Sequence, residues 1–480
     1  MCLLGCLWFG WPALAIFDLQ GASEPGTVTK IRYCWMGSLA ILAGILWMTA
    51  IGEWVGARAL GFYAARQPRH TPASDTNDKV DDQAPSYRHV RAWVLIGIYV
   101  VLTVVAVVAG YDTPRLVHVT FPMAGLPQCL SGYKVAMLSD VHGGPLVGLT
   151  GVAQYVEQLN ALNADAEVLV GDLADGPPIE RGDELAPVRE LSAPDGAFYV
   201  TGNHEYYHGS TGNDWLRWME SQPTVTVLNN TGVTLPVRGR RPERFPDCQE
   251  SDTFDLLGVV DRTACRNDPS LCAEGFGTRV NLAVAAAKAK LKPEQAAQLG
   301  TPTRASLLLA HQPLDADSAA SAGLTAQVAG HTHGGQIWPI HWSTYLANKG
   351  RVAGGFAVSR EDTAGPMHLY VGEGAVGWGP RLRLWAQTEI TLLTLVPATV
   401  ESGEVELITT DASHPSQLGG LCASVLLIAS LAQFCVHKSM VGVRLLSRAR
   451  DPGTSETAFV QMLEMPTVSS AETESESNIP

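Results

Sequence analysis

Five short apolar runs in the middle of this 480-residue chain each end in polar residues that could carry chemistry. The runs are four to seven residues long, which is the length of a strand. Carboxylates, an amide and several histidines follow them, and such side chains bind metal ions and transfer protons. The runs and the residues that follow them are 133–139 with Asp140, Val141 and His142; 167–170 with Gly171 and Asp172; 197–201 with Gly202, Asn203, His204 and Glu205; 306–310 with His311; and 326–329 with Gly330, His331, Thr332 and His333.

The residue types in these clusters predict a centre with two metal ions. Two aspartates, one asparagine and four or five histidines are ligands that suit first-row divalent ions. They are too many for one tetrahedral zinc, but around a bridging carboxylate they suit two ions roughly 3.5–4 Å apart, an arrangement used for displacement at phosphorus. A single histidine at a strand end is usually an ordinary hydrogen-bonded residue, and a single Gly-Asp is usually a turn. The prediction therefore depends on all five clusters together.

Strands must bring these clusters to one place. In open α/β sheets, ligands bind just outside the carboxyl ends of the strands, so polar residues at five strand ends are expected to converge. The stretch 149–163 has apolar residues at helical spacing, including Val152, Val156 and Leu159. We expect it to form a helix that packs against the sheet.

The set of clusters resembles the motifs of the calcineurin-like metallophosphoesterases, over about residues 130–395. The similarity is greatest to the membrane-anchored branch of that family, and it includes VTGNHEYY at 200–207, LLLAHQP at 307–313, AGHTHGGQI at 329–337 and the closing stretch 370–390. The resemblance implies an α/β fold, a four-layer α/β/β/α sandwich of two mixed sheets, flanked here by transmembrane helices.

The same resemblance implies a role for each residue of the clusters. A hydroxide that bridges two divalent ions (manganese, iron, zinc or similar) would be the nucleophile, and His204 would donate a proton to the leaving oxygen without binding a metal. Either Glu205 or Asp175 could orient His204, and the sequence does not choose between them. Asp140, His142 and His333 would hold the first ion, Asp172 would bridge both ions, and Asn203, His311 and His331 would hold the second ion.

Two parts of the chain depart from the family pattern. Asp175 stands where the purple acid phosphatase branch has a metal-binding tyrosine, so a ferric–tyrosinate centre is not expected. The stretch 238–272 is rich in arginine, proline and cysteine and matches no family motif. We interpret it as a surface loop with a local disulfide, and the alternative is a determinant of substrate choice.

Uncharged apolar runs near both ends predict membrane-spanning helices. Only 17% of the residues are charged, against roughly 25% in an ordinary soluble domain. The runs 33–52, 92–111 and 418–436 are each long enough to cross a bilayer, and three runs of this length fit buried core helices poorly. Residues 2–17 are apolar but shorter, and they are a further candidate helix or a hydrophobic stub. A cleaved signal is the weaker interpretation because no basic segment precedes them.

These features predict the domain organisation. Residues 1–111 would form an N-terminal membrane region with helices at about 33–52 and 92–111 and a polar linker at 53–91. Residues 112–417 would form the metallophosphoesterase domain, which carries 21 basic and 34 acidic residues and thus nearly all of the net charge of −14. Residues 418–436 would form a C-terminal transmembrane helix, and the tail 437–480 is expected to be disordered.

The charges of the loops predict the orientation of the chain. The linker 53–91 carries six basic residues and the tail carries four, so both are expected on the cytoplasmic side. Residues 112–417 would then be extracellular or lumenal. Four cysteines in this region (Cys129, Cys248, Cys265 and Cys272) and the glycosylation sequon that begins at Asn229 agree with an oxidising, non-cytoplasmic compartment.

The leading functional hypothesis is a membrane-anchored dimetal phosphoesterase that hydrolyses a phosphomonoester or phosphodiester, with a membrane-associated substrate as one option. The alternatives are a glycolipid-anchor remodelling phosphodiesterase and a catalytically inactive membrane receptor or scaffold, which would have lost ligands. The lipid bilayer is an expected partner. Nucleic acid is not, because the acidic chain offers no basic face for phosphates.

Overall fold

The computed structural model describes residues 27–66 and 87–398, apart from residues 145, 208–209, 237–242, 361–364 and 385. The segments 2–17, 418–436 and 437–480, on which the sequence predicts two apolar helices and a tail, lie outside the described residues.

The first sheet is mixed and has six described strands, in the spatial order β1-β12-β2-β3-β4-β5. Strands β2 to β5 are parallel to one another, and β12 runs antiparallel to β2 and parallel to β1. The strands are β1 (Arg115–Ala124), β2 (Tyr133–Leu138), β3 (Ala166–Val170), β4 (Ala197–Val200), β5 (Val225–Val227) and β12 (Glu389–Ala398).

The second sheet is also mixed, with the order β10-β11-β9-β8-β7-β6 among the described strands. Its four central strands are parallel and its two edge strands are antiparallel to their neighbours. The strands are β6 (Thr231–Leu235), β7 (Phe254–Gly258), β8 (Ser306–Leu309), β9 (Ala326–Ala329), β10 (Gly354–Val358) and β11 (Met367–Val371).

Helices cover the outer faces of both sheets. Leu149–Ala161 buries Val152, Tyr155, Val156 and Leu159, as the spacing of apolar residues in the sequence predicts. The described helices are α1 (Thr27–Arg66), α2 (Tyr87–Tyr111), α3 (Leu149–Ala161), α4 (Pro178–Leu185), α5 (Asn213–Glu220), α6 (Gly277–Lys288), α7 (Pro293–Gln298), α8 (Ala316–Ser321) and α9 (His341–Ala347).

Alternation along the strands produces the four layers. In β2, Val135 and Met137 lie in the apolar core between the two sheets, whereas Ala136 and Leu138 lie in the core beneath α3. Successive side chains of a strand point to opposite faces, so a strand with apolar residues at every position is buried on both sides. A third core lies between the second sheet and α6 and α8. The α/β/β/α sandwich of two mixed sheets is therefore confirmed.

The two N-terminal helices are long and apolar enough to cross a membrane, over Lys30–Trp54 and Arg91–Tyr111. They are antiparallel, since the Tyr99 hydroxyl donates to Ser38 Oγ at 2.9 Å and Arg91 pairs with Glu53 nearer the other end. Both helices extend into the stretch 53–91, which the sequence predicts as a polar linker. Backbone hydrogen bonding continues there because residues such as Ala57, Arg58 and Ala59 favour the helix once it has started.

Two disulfides involve cysteines of the stretch 238–272, which matches no family motif. Cys129 pairs with Cys248 across a sequence separation of 119 residues, and Cys265 pairs with Cys272. Phe254 to Gly258, which lies within the stretch that matches no motif, is the buried strand β7. The interpretation as a surface loop is therefore wrong for this strand, whose five residues are all buried between sheet neighbours and two cores.

A buried ion pair offers a test of this architecture. Arg304 donates to both carboxylate oxygens of Asp255 at 2.6 and 2.8 Å, and both side chains are almost fully buried. We expect Arg304→Met to lower the free energy of unfolding by about 3–5 kcal/mol, because it leaves the Asp255 charge buried without its partner. That loss corresponds to a melting temperature lower by roughly 5–10 °C, measurable by differential scanning fluorimetry on the full chain.

Arg217→Met is the matched control for this experiment. Arg217 pairs with Asp214 on the exposed side of α5, where the arginine side chain is 70% exposed. An exposed pair contributes about 0–1 kcal/mol, so the control should melt close to the wild type. Equal melting temperatures for the two variants would contradict a structural role for the buried pair.

Candidate metal centre

The carboxyl ends of five parallel strands meet at one place, as the sequence predicts, but these strands belong to two different sheets. Strands β2, β3 and β4 of the first sheet carry Asp140 and His142, Asp172, and Asn203 with His204. Strands β8 and β9 of the second sheet carry His311 and the pair His331 and His333. His311 Nδ1 lies 2.8 Å from the carbonyl oxygen of Val170, so a contact between the sheets lies directly beneath the cluster.

One group of possible ligands consists of Asp140, His142 and His333, all of them buried. His333 Nε2 lies 3.4 Å from Asp140 Oδ1 and 3.3 Å from His142 Nε2. A cation placed between these three atoms would lie within reach of all of them. The geometry therefore supplies one carboxylate and two imidazoles to a single position.

A second group consists of Asp172, His311 and His331. His311 Nε2 lies 3.1 Å from Asp172 Oδ2, and the same oxygen lies 4.0 Å from His142 Nε2 of the first group. Asp172 thus stands between the two groups. Asn203, which follows β4, is also buried at this position.

A buried atom without a partner indicates that the residues fit bound metal ions. Asn203 Oδ1 has no hydrogen-bond partner among the described residues. A buried polar atom without a partner costs about 1–3 kcal/mol, so natural proteins rarely keep one without a reason. An amide oxygen is a ligand type for divalent ions, and Asn203 follows β4 at the same strand ends as the second group.

The electrostatics of the histidines agree with cation binding. Burial lowers the pKa of His331 and of His333, so both side chains are neutral at pH 7 and keep a lone pair for a metal. Burial also opposes the charged form of His311, but the Asp172 carboxylate outweighs it and raises the pKa of His311 well above its ordinary value. This position favours a positive charge, and a metal ion would supply one.

The backbone at the ligand positions is unusual. Asp140, His142, Asp172, His331 and His333 all have positive φ, between 50° and 73°. Residues other than glycine rarely adopt this region, and each one held there costs of order 1 kcal/mol. Five such residues in one cluster mark a site where the surrounding structure holds the side chains in place for a purpose other than stability.

Glycines next to the ligands permit the close approach of neighbouring loops. A Cβ added to Gly202 would lie 2.2 Å from Asp172 Oδ1, and one added to Gly330 would lie 2.2 Å from Asp140 Oδ2. Any larger residue at either position would displace a carboxylate of the cluster. The Gly-Asn-His and Gly-His-Thr-His motifs thus require glycine for packing around the proposed ligands.

Asp175 is the carboxylate that contacts His204. Its Oδ1 lies 2.6 Å from His204 Nδ1 and 2.9 Å from His142 Nδ1. Burial alone would lower the pKa of His204, but the carboxylates of Asp172 and Asp175 raise it to about 9. His204 is therefore protonated at neutral pH, the state that a proton donor needs.

Glu205, the other candidate for orienting His204, has a different set of contacts. Its fully buried carboxylate accepts the backbone N–H groups of Asp172, Leu173 and Gly202 at 3.1, 2.7 and 2.7 Å. It therefore ties the loop after β3 to the loop after β4. Burial, followed by the nearby Asp172 charge, raises the pKa of Glu205 to about 7.

Arg383 holds the remaining loop, and sequence reasoning missed it. Its buried guanidinium donates to the carbonyl oxygens of His333, Glu373 and Val376 at 2.5, 2.8 and 2.8 Å. The Val376 carbonyl also lies 2.9 Å from His333 Nδ1, so Arg383 and this carbonyl together fix the ring of His333. The only signal in the sequence was an arginine in the apolar stretch 382–386, which has no pattern of its own.

Part of the chain is similar in sequence to known proteins. Residues 133–335 match the family described as calcineurin-like phosphoesterase. The chain is 29% identical to the transmembrane protein with metallophosphoesterase domain of Bos taurus over 386 residues, which cover 78% of this chain and 76% of the bovine protein. It is 29% identical to the protein of the same name in Danio rerio, over 63% of this chain and 62% of that protein.

Among solved structures, a dimetal phosphatase from Danio rerio aligns with 55% of this chain and 93% of its own, at 11% identity and a TM-score of 0.32. The family match covers strands β2 to β9 and every proposed ligand. Residues 133–335, which hold all of the candidate ligands, are therefore similar to the calcineurin-like phosphoesterases.

Proposed function

We propose that this protein is a membrane-anchored phosphoesterase that uses two divalent metal ions to hydrolyse a phosphomonoester or phosphodiester. The observation that carries the proposal is the convergence of seven candidate ligand side chains from two sheets, with the buried Asn203 Oδ1 left without a hydrogen-bond partner among the described residues. All the ligand types that the family motifs call for are present in this cluster, which argues against an inactive scaffold. A glycolipid-anchor phosphodiesterase would be a narrower version of the same function, and no contact among the described residues favours it.

The proposed assignment divides the cluster between two ions. Asp140, His142 and His333 would hold one ion, Asn203, His311 and His331 would hold the other, and Asp172 would contact both. When bound, the ions would activate a water molecule for attack on phosphorus and would stabilise negative charge on the phosphoryl oxygens.

The protein's own residues would complete the reaction. Attack forms a new bond between oxygen and phosphorus and breaks the bond to the leaving oxygen, which needs a proton to depart as an alcohol. His204 carries that proton at neutral pH, and Asp175 holds its ring in place at 2.6 Å. The products are an alcohol and a phosphate, or a phosphomonoester when the substrate is a diester.

The bridging role of Asp172 can be tested by metal analysis. We expect Asp172→Ala to lose at least one ion per chain and most of the activity, because both cations lose a shared anionic ligand. Inductively coupled plasma mass spectrometry of the purified variant measures the metal content. Asp183→Ala, at an exposed position on α4, is the matched control and should keep both ions. Full metal content in folded Asp172→Ala would contradict the bridge.

The role of His204 can be separated from metal binding by the choice of leaving group. His204→Ala should keep both ions but lower kcat for an alkyl phosphate by about 10²–10⁴, the usual contribution of a positioned acid. The loss should be smaller for 4-nitrophenyl phosphate, whose leaving group needs little protonation. His118→Ala on β1, away from the cluster, is the control. An equal loss for both substrates would exclude a proton-donor role, and metal loss would make His204 a ligand.

The same proposal includes an orientation, with the domain outside the cytoplasm. Helix α2 leads directly into β1, so the domain begins at the end of the helix pair opposite to Arg91 and Glu53. The basic linker at the other end favours the cytoplasm. All four domain cysteines are paired, and Asn229 is exposed in the turn between β5 and β6. These features suit an oxidising compartment with access to glycosylation.

Protease protection tests the orientation. In sealed vesicles with their cytoplasmic face outward, the domain should survive added protease, while a tag at the C-terminus is removed. Asn229→Gln should remove any mass shift caused by a glycosidase, and the matched Asn267→Gln should not. Digestion of the domain in intact vesicles would overturn the orientation.

A further inference from the structure

The first membrane helix, α1, contacts the domain at Gly37 and Gly44. A buried stripe on α1 consists of Gly37, Ser38, Ile41, Gly44 and Ile45. The opposite side and the far end of the span are exposed, including Trp47 and Trp54. Small residues in the stripe let the domain approach the helix backbone closely.

Two loops of the domain make this contact. The rings of Trp338 and Pro339 lie so close to Gly44 that an added Cβ would come within 2.5 Å of Trp338 Cζ3, and Pro380 covers Gly37 in the same way at 2.8 Å. The backbone N–H of Arg383 donates to the carbonyl of Ala106 on α2 at 2.9 Å. Both helices are therefore held by the loops that follow His333 and Val376.

The position of Gly44 sets the depth of Trp338 relative to the membrane. The uncharged run begins at Tyr33 and ends before Glu53, so only residues 45–52 lie beyond Gly44. Eight helical residues span about 12 Å, whereas the hydrocarbon core is about 30 Å thick. The helix can cross the bilayer only if residues on the near side of Gly44 are also inside it, which places Trp338 and Pro339 at the level of the lipid chains.

An exposed apolar surface continues from this contact. We call it the apolar lip, and it consists of Ile340, Trp342, Tyr345 and Leu346 on and before α9, with Trp378 on the neighbouring loop. Trp342 is 58% exposed and Leu346 is 78% exposed. Residues 342, 345 and 346 share one face of the helix. The lip is continuous with the membrane helices, and a contiguous exposed apolar surface of this kind marks a site of contact with a membrane or a partner.

The lip is joined directly to the candidate metal centre. Gln336, three residues after His333, donates from Nε2 to the carbonyls of Trp378 and Pro380 at 3.0 and 2.8 Å and accepts from the Trp378 N–H at 2.9 Å. A small cleft next to the centre is lined by His142, Asp175 and Val376, and its remaining wall includes Tyr33 of α1. A residue of the membrane helix thus lines the cleft beside the candidate metal centre.

We propose that the substrate is a phosphoester of a membrane lipid, whose head group enters the cleft past Tyr33 while its acyl chains stay in the bilayer against the apolar lip and α1. Tyr33 is the first residue of the uncharged run, so the cleft opens at the height where the phosphates of the leaflet lie. The inference rests on the proposed phosphoesterase function and adds the substrate class. Such a substrate would reach the candidate metal centre while its acyl chains remain in the membrane.

The test compares the rate of hydrolysis of each lipid with that of its soluble head group. The full chain is reconstituted in phosphatidylcholine vesicles with Mn²⁺. Two pairs of substrates are compared. Dioleoyl phosphatidate is paired with glycerol 3-phosphate, and dioleoyl phosphatidylglycerol is paired with glycerophosphoglycerol. Soluble 4-nitrophenyl phosphate and bis(4-nitrophenyl) phosphate report the basic chemistry. We expect at least one lipid to be hydrolysed at least about tenfold faster than its head group, because the acyl chains supply remote binding energy.

A charged lip should lower this preference. In the double variant Trp342→Glu with Leu346→Glu, the ratio of lipid to nitrophenyl activity should fall by at least about tenfold, because carboxylates are strongly disfavoured in the bilayer. Leu282→Glu, on the exposed side of α6, is the matched control and should keep the wild-type ratio. An unchanged ratio in the double variant would overturn the proposal.

If the double variant does not fold, fluorescence quenching of the conservative variant Trp342→Phe tests the proposal instead. Lipids brominated in their acyl chains should quench the fluorescence of the wild type more than that of Trp342→Phe. Equal quenching would place Trp342 outside the bilayer and overturn the proposal. Hydrolysis of nitrophenyl esters but of no lipid would overturn this inference alone, whereas no hydrolysis of any ester would also overturn the proposed function.

Discussion

Buried negative charge in a small volume is the constraint on which the rest of this site depends. Asp140, Asp172 and Glu205 are almost fully buried within one cluster, and Asp175 lies beside them. Carboxylates cannot remain ionised away from water without cations or several hydrogen bonds. The fold meets this demand in two ways. Glu205 is satisfied by three backbone N–H groups, whereas Asp140 and Asp172 face the imidazoles of His333 and His311, an environment suited to metal ions.

The left-handed backbone at five ligand positions connects the site to the core of the protein. Turns with such a strained backbone persist only when contacts with the surrounding structure stabilise them by more than the strain costs. Here the strand before each turn lies in a sheet that is buried on both faces, and hydrogen bonds with Glu205 and Arg383 fix the loops that follow. Glu205 and Arg383 thus hold the ligand-bearing loops in position. This role explains why the glutamate of the Asn-His-Glu motif contacts backbone N–H groups rather than His204.

Much of the fold and of the cluster could be predicted from the sequence, because strand length, apolar runs and ligand types are local properties. The strand before Asp140 and the helix from Leu149 are where the pattern places them. The choice of Asp175 as the partner of His204 depends on the path of the turn after β3, and the role of Arg383 depends on carbonyl groups, which every residue has. The contact of Gly44 with Trp338 joins residues almost 300 positions apart, and no periodicity encodes such a contact.

The position of β12 has a consequence for the synthesis of the chain. This strand is the last one described, yet it lies between β1 and β2, and its Glu389 pairs with Arg115 at the beginning of the domain. While the ribosome is still making residues before 389, β1 and β2 each have an open edge that can pair with another chain. A chain truncated before residue 389 would therefore be expected to aggregate rather than to fold with reduced stability. The missing strand would leave a gap inside the first sheet and not at its edge.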